Sequence, residues 1–473
     1  MSTVALGAAG VIAASAAEKG PGALDPTFGV GTDDGTPDGV VSTSLGAGND
    51  EASAIARTAD GKLVVVGNRA ADGSKDIVIL RYKNDGTLDP AFGADGDADG
   101  TPDGVVDISL GAGDDVATAL AAEPDGHIVL AGYHVEGGSK NIFVIRLGAD
   151  GKLDPTFGTA SDGTPDGVVN VSLGDGDDIA RGVAVEPDGG IVVVGDTVKG
   201  TSSNIVVARF KADGTPDTGF GADGGSDGTP DGFVSIDLGA GDDRANGVAL
   251  QADGKIVVVG SHQEAGSANI VVARLDAKGA LDASFGTAAD GTPDGVVGVS
   301  LGDGDDTGTA VALQPDGKIV VAGTTVAKDG SSNFVVARLG ADGSADATFG
   351  ADGGSDGTPD GFVATSLGEG DDVATGLALQ PDGKILVSGY HRDGGSLSMA
   401  VARYDANGAL DAAFGADGGA DGTADGVVNI SLGDGDDKAN GLVLDGDRLV
   451  VLAGSTVAED GSSNIALVRL TLE

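Results

Sequence analysis

The apolar positions of the chain fall in short runs, and the runs recur. Between residues 233 and 275 four strand candidates follow one another: Phe233–Leu238, Ala245–Leu250, Lys255–Gly260 and Asn269–Leu275. The third reads KIVVVG and the fourth NIVVARL. Both are apolar on two faces, so each predicts a strand covered on both sides. The first is more polar and suits a sheet edge. The turns between them carry ADG, PDG or GxGDD, whose Asp and Gly tolerate the left-handed backbone of tight hairpins. No segment sustains a 3.6-residue period, so the chain reads as all-β.

This unit occurs seven times. SLGxGDD or a close variant begins at Ser44, Ser109, Ser172, Asp237, Ser300, Ser366 and Ser431, at intervals of 65, 63, 65, 63, 66 and 65 residues. PDGK or a relative follows around Asp60, Asp125, Asp188, Asp253, Asp316, Asp382 and Asp445. A second apolar run with one arginine and the phrase LDxxFG come next. Four short antiparallel strands repeated at about 64 residues predict a closed seven-bladed β-propeller over residues 22–473, with an open β-solenoid as the competing architecture. Internal units run RLxADGxLDxxFG without a break, as from Arg274 to Gly286. Residues 469–473 hold the start of that phrase and residues 22–29 its remainder. The N- and C-terminal segments are therefore expected to complete one repeat and close the ring. A second period is superposed: GADGGSDGTPDGFV occurs at Gly221 and Gly350, 129 residues apart, which suggests duplication of a blade pair. Residues 1–21 read as a leader, either a signal-like segment ending near Ala14-Ser15-Ala16 or a floppy tail.

The phrases ALQPDGKIVVAG, NFVVARL, ADGxLDxxFG and GxGDD, recurring in that order, resemble the bacterial delta-sixty repeat family over about residues 22–473. The resemblance implies a propeller fold and a setting on large secreted or surface proteins. It implies no activity. The regular DGTPDG insert is a departure from that pattern.

Composition narrows the function further. Acidic residues outnumber basic ones 74 to 27, a formal charge of -47. No nucleic-acid partner is expected of such a surface, and anionic membranes are disfavoured. Cations, a salty medium or a need for solubility fit it better. With no cysteine there is no disulfide framework and no thiol nucleophile. No apolar run reaches 18 residues, so no membrane insertion is expected. The absence of tryptophan and the presence of only four tyrosines reduce the case for sugar stacking. No G-x-S-x-G, phosphate loop or metal-spaced histidine cluster is present, and the abundance of acids makes any carboxylate pair uninformative.

The candidate chemistry lies in the acidic loops. Asp95, Asp97, Asp99 and Asp103 follow D-x-D-x-D-G-x-x-D, a spacing similar to the calcium loops of FG-GAP propellers. Such a turn can offer the oxygen ligands calcium requires. The related loops keep the first, fifth and ninth positions: Asp223, Asp227 and Asp231; Asp352, Asp356 and Asp360; Asp417, Asp421 and Asp425. The competing reading is a turn whose aspartates accept backbone N–H groups. SLGDGDD resembles half of a stacked calcium nonapeptide, but its 64-residue spacing forbids that stacking, and a hairpin turn with a nearby cation fits as well. Arg81, Arg146, Arg209, Arg274, Arg338, Arg403 and Arg469 recur once per unit. They read as inter-blade groups paired with the Asp of LDxxFG or GDD, with the Phe filling the gap between blades. Tyr133, His134, His262, Tyr390 and His391 are candidate contact residues on exposed loops. These features predict a non-catalytic, acidic, extracellular or cell-surface scaffold, with Ca2+ as the implied ion and a protein or glycan partner, or self-assembly, as the implied use. The alternatives are a subunit of a surface layer, filament or matrix, and a glycan lyase or hydrolase working in the central channel.

Overall fold

The computed structural model describes residues 20–29, 38–46, 48–71, 73–93, 104–158, 166–174, 176–221, 232–264, 266–286, 294–302, 304–350, 361–368, 370–415, 426–458 and 460–473. Among these, every regular element is a strand. The order opens with β1 (Val40–Thr43), β2 (Asp50–Arg57), β3 (Leu63–Ala71), β4 (Ser74–Tyr82) and β5 (Val105–Ile108). Next come β6 (Asp115–Ala122), β7 (Ile128–Glu136), β8 (Ser139–Leu147) and β9 (Val168–Val171). They are followed by β10 (Asp178–Val185), β11 (Ile191–Lys199), β12 (Ser202–Phe210) and β13 (Phe233–Ile236). The fourth group is β14 (Asp243–Leu250), β15 (Ile256–Glu264), β16 (Ser267–Leu275) and β17 (Val296–Val299). The fifth is β18 (Asp306–Leu313), β19 (Ile319–Val326), β20 (Ser332–Leu339) and β21 (Phe362–Thr365). The sixth is β22 (Asp372–Leu379), β23 (Ile385–Asp393), β24 (Ser396–Tyr404) and β25 (Val427–Ile430). The chain closes with β26 (Asp437–Leu444), β27 (Leu449–Val457) and β28 (Ser463–Thr471).

Each of these six successive groups from β2 to β25 forms one four-stranded sheet, and the seventh has the order β1-β28-β27-β26. The fold is an all-β, seven-bladed β-propeller with four antiparallel strands per blade. The expected meeting of the chain ends occurs inside the seventh blade, where Val40–Thr43 pairs antiparallel with Ile465–Val468 and Leu24 bridges Leu470.

Two details differ from the sequence reading. Phe233–Ile236 is not the first strand of the fourth blade; it is the outermost strand of the third, paired with Ile205–Ala208. A short run carries no mark of its hydrogen-bonding partner, so periodicity alone could not set the blade phase. The long strands also continue beyond their apolar runs: β15 reaches Glu264 and pairs there with Ser267, where a longer polar loop was expected.

The middle strands are buried on both faces, as their β-branched runs require; Val64, Val65, Ile77 and Val78 have no exposed surface. The first strand of each blade is built differently. In β6 (DVATALAA) buried and half-buried positions alternate. The small buried residues let first strands of neighbouring blades approach, β6 to β10 and β26 to β2. A bulge interrupts each such strand, at Thr118 in β6. The freed Thr118 hydroxyl donates 2.7 Å to the Ala180 carbonyl of the next blade, and Asn440 donates 2.7 Å to that of Ala52. Beside the bulge the partner strand needs glycine: a Cβ on Gly195 would lie 1.9 Å from the Ile179 carbonyl oxygen.

The chain comprises two compact units. One contains residues 1–109, 331–336 and 347–473; the other contains 110–330 and 337–346. In the first, Met399, Val401 and Leu386 pack with Val450, Leu452 and Val468, and Val65, Val78 and Leu80 with Val451 and Leu467. In the second, Val129, Ile142 and Val144 pack with Ile191, Val193 and Val206, and Val192, Ile205 and Val207 with Ile256, Val258 and Val271. In both units the apolar core lies between successive blades.

Candidate functional site

The recurring arginine and the phrase LDxxFG form the joint between blades. In β16, Arg274 Nε lies 2.8 Å from Asp282 Oδ2, and its guanidinium carbon is 4.5 Å from the centre of the Phe285 ring. Arg209 pairs with Asp217 at 2.6 Å, Arg403 with Asp411 at 2.9 Å, and Arg469 with Asp25 at 2.7 Å. The far end of the guanidinium reaches the following blade: Arg209 donates 2.6 Å to the Ala277 carbonyl, and Arg403 donates 2.7 Å to that of Leu472. The glycine of FG also donates across the joint, as from Gly158 N to Asp213 O at 2.9 Å. That glycine is required, because at Gly158 φ is +79° and a Cβ would sit 2.3 Å from the Val168 carbonyl oxygen. The arginines are therefore structural, with the Asp of LDxxFG as their carboxylate and the Phe stacked beneath them. In four blades the lysine of DGK adds a second cation; Lys255, for example, stands 3.1 Å from Asp282. Burial raises the Asp282 carboxyl, but hydrogen bonds from Ser284 and Lys255 and the charge of Arg274 outweigh it and hold it well below the carboxylate range.

The second acidic loop is also structural. The last aspartate of GDD is buried in every blade: Asp50, Asp115, Asp178, Asp243, Asp306, Asp372 and Asp437. Its Oδ2 accepts from the leucine N–H five residues earlier, as at Leu173 and Leu432, both 2.7 Å. The aspartate or asparagine before it ties blades together: Asp242 Oδ1 accepts from Ser203 N at 3.0 Å, and Asn49 Oδ1 from Ser463 N at 3.1 Å. These carboxylates are thus engaged by backbone N–H groups. Burial pushes the Asp50 carboxyl up to about 6, opposed by the Leu45 N–H, and the Asp437 carboxyl likewise to about 6.

The cross-strand partners of the buried aspartates include the candidate histidines. His134 faces Asp115, His262 faces Asp243 and His391 faces Asp372. His262 Nδ1 is 2.5 Å from Asp243 Oδ1, and His391 Nδ1 is 2.8 Å from Asp372 Oδ1. The expectation of exposed loop contacts fails here. The three residues lie in β7, β15 and β23, with His134 and His391 buried and His262 half-buried. Adjacent strand residues point to opposite faces, so Tyr133-His134 and Tyr390-His391 do not form single contact patches. Tyr133 and Tyr390 are half-buried, with Lys140 Nζ 4.6 Å and Lys438 Nζ 5.8 Å from their ring centres.

The thirteen candidate calcium ligands, Asp95, Asp97, Asp99, Asp103, Asp223, Asp227, Asp231, Asp352, Asp356, Asp360, Asp417, Asp421 and Asp425, lie outside the described residues. A different cluster emerges in the turn after β6, where one ligand atom each of Glu123, Asp125 and His127 lies within 4.8 Å of the others. The sequence reading gave His127 no role. Its signal was EPDGH here against QPDGK in two other blades. Among the described residues no helix is long and apolar enough to cross a membrane.

The family comparison agrees with this architecture. Residues 58–92, 123–157, 186–220, 251–285, 314–349 and 380–414 each match the family model described as "Domain of unknown function (DUF5122) beta-propeller". Each segment spans the DGK turn or its counterpart, the two buried middle strands and the LDxxFG joint. The corresponding stretch of the seventh blade is divided between residues 445–473 and 20–28. No curated protein matches the chain. Among solved structures, a protein of unknown function from Dyadobacter fermentans is similar at 13% identity and a TM-score of 0.42, covering 92% of this chain and 100% of that one. Sqt1 from Chaetomium thermophilum, bound to the N-terminus of ribosomal protein L10, is similar at 11% identity and a TM-score of 0.42, covering 90% and 98%. A Lactobacillus plantarum protein is similar at 14% identity and a TM-score of 0.41, covering 87% and 99%. The chain is a β-propeller repeat protein of seven four-stranded blades, six of which carry the matched segment.

Proposed function

We propose that this protein is a non-catalytic, acidic scaffold at the cell surface or in the extracellular medium, binding or assembling through its repeated loops. One observation carries the reading: blade after blade, the recurring charged groups serve the same structural purposes. Arginine, the LDxxFG aspartate and the GDD aspartates hold strands, turns and neighbouring blades together. A catalytic propeller would instead gather unlike residues at one place. The Asp-rich segments led by Asp95, Asp97, Asp99 and Asp103 fit calcium by their spacing. Calcium there would offset the repulsion of a chain carrying -47 and couple its stability to the ion.

Calcium bracing is tested by thermal melts of the purified chain in EDTA, across a calcium series and in magnesium. The expected result is a melting temperature that rises and saturates with calcium, not with magnesium, and a weaker response in Asp97→Ala. Identical melts in EDTA and millimolar calcium would remove calcium from the proposal. The non-catalytic reading would be overturned by release of reducing or unsaturated sugar ends from anionic polysaccharides. The 129-residue blade-pair period favours a second use, as a subunit of a surface layer or filament. Calcium-dependent ordered polymers in negative-stain images would select it, and a monodisperse species at every calcium concentration would exclude it.

A further inference from the structure

The turn between β6 and β7 departs from its counterparts at two positions at once. Where His127 stands, four blades have Lys62, Lys255, Lys318 and Lys384. There the ammonium sits between the turn aspartate and the joint aspartate, as Lys318 does at 3.7 Å from Asp316 and 3.0 Å from Asp346. His127 occupies the same place with its ring: Nδ1 is 3.0 Å from Asp125 Oδ1 and Nε2 is 3.6 Å from Asp154 Oδ2. Where Glu123 stands, all four of those blades have a neutral side chain, Thr58, Gln251, Gln314 and Gln380. The second blade thus gives up the lysine cation and gains a carboxylate in one turn.

Glu123 is 6% exposed, and its Oε1 is buried with no hydrogen-bond partner. The equivalent Gln251 and Gln380 oxygens are also buried and unpaired, but these side chains are neutral and have a lysine in the same turn. In the third blade, which also has a glutamate, Glu186 is 3.9 Å from Arg209 and Gly190 replaces the ring, so no imidazole is available.

We infer that Glu123, Asp125 and His127 form a site for one divalent transition-metal ion of the zinc class, held by two carboxylate oxygens and imidazole Nδ1. The donor set is the borderline mixture that suits such an ion, with the remaining positions open to water. Zinc bonds of about 2.0–2.1 Å at tetrahedral angles place ligand atoms about 3.3 Å apart. The 3.0 Å between His127 Nδ1 and Asp125 Oδ1 is close to that, and the third donor lies within 4.8 Å. Asp154 faces the other ring nitrogen, the position of a carboxylate that orients a ligating histidine. Arg146, 2.7 Å from Asp154, fixes that carboxylate in turn.

The test is calorimetric titration of the full chain with zinc chloride in millimolar magnesium and calcium, which occupy weaker oxygen sites. His127→Lys and Glu123→Gln are titrated alongside. Both install the residue that other blades carry, so folding is retained, as matching melting curves would verify. The expected result is one saturable site in the parent chain, with affinity reduced at least about tenfold in each variant. Cobalt should give visible absorption bands in the parent chain that His127→Lys abolishes. Equal zinc uptake by parent and variants would assign binding to the acidic surface and overturn the site. No saturable uptake by the parent would overturn it as well, and would assign the Glu123 oxygen to water.

Discussion

Replacing Asp437 by Asn should stabilise the protein at neutral pH and leave it unchanged near pH 4. Asp437 has no exposed surface, and its Oδ2 accepts the Leu432 N–H at 2.7 Å. Burial lifts its carboxyl from 3.8 to about 6 against hydrogen bonds from Leu432 and Thr456. Between those two values the folded chain holds a proton that the unfolded chain has released. Stability therefore falls as pH rises through that window and levels off above it. The difference corresponds to about 3 kcal/mol at pH 7. Asparagine keeps the acceptor for Leu432 and has no charge to bury. For the compact unit that contains Asp437, roughly 240 residues, an unfolding entropy of about 2.1 cal/mol/K per residue converts this to a rise of about 6 °C. The joint aspartates act in the opposite sense: Asp282 and Asp411 are held low, and the stability they supply is lost as pH falls below about 4. Calorimetric melts of both proteins from pH 4 to pH 8 measure the effect. A variant less stable than the parent at pH 7.5, or one whose melting temperature falls as steeply between pH 4 and pH 6.5, refutes the reasoning.

Arg403→Ala removes a guanidinium that is 1% exposed, pairs with Asp411 at 2.9 Å and donates to the Leu472 carbonyl at 2.7 Å. Urea denaturation should show a loss of about 3–5 kcal/mol, and a loss below about 1 kcal/mol would mean that the joint is not an energetic element. Gly158→Ala forces a side chain onto φ +79° and to 2.3 Å from a carbonyl oxygen. It should cost about 2–3 kcal/mol, while Gly298→Ala, with nothing within 4 Å of its added Cβ and no positive φ, should cost under about 1 kcal/mol in the same assay.

The fold was legible because its information is local and repeated. KIVVVG states burial on both faces by itself, and seven copies in order state the blade number. What was not legible depends on partners distant in sequence. The inter-blade role of Arg274 was legible, but which acidic phrase supplies its partner, Asp282, and which carbonyl it reaches in the next blade, 67 residues away, were not. The blade phase needs the hydrogen-bond partner of Phe233–Ile236, which no residue type reports. Burial of His134 and His391 was hidden for a related reason. A histidine near a polar hairpin looks exposed, yet the cross-strand register turns it toward an aspartate from a strand about twenty residues earlier.

Recurrence and departure carry different information in such a chain. The positions facing the buried aspartates hold Arg69, His134, Thr197, His262, Thr325, His391 and Thr456. Arginine, histidine and threonine thus serve one aspartate position, so the histidines there are interchangeable polar partners and not a ligand requirement. His127 is a different case. It replaces a lysine that neutralises two carboxylates, and the same turn gains Glu123 where most of those blades have glutamine. The third blade also has a glutamate, Glu186 beside Arg209, and no lysine in its turn, but Gly190 stands where the imidazole would be. Glu123 has Arg146 nearby as Glu186 has Arg209, so what sets the turn at residues 123–127 apart is an imidazole between Asp125 and Asp154 beside the unpaired Glu123 oxygen, and this turn, not the histidines of the middle strands, is the place to look for a bound metal.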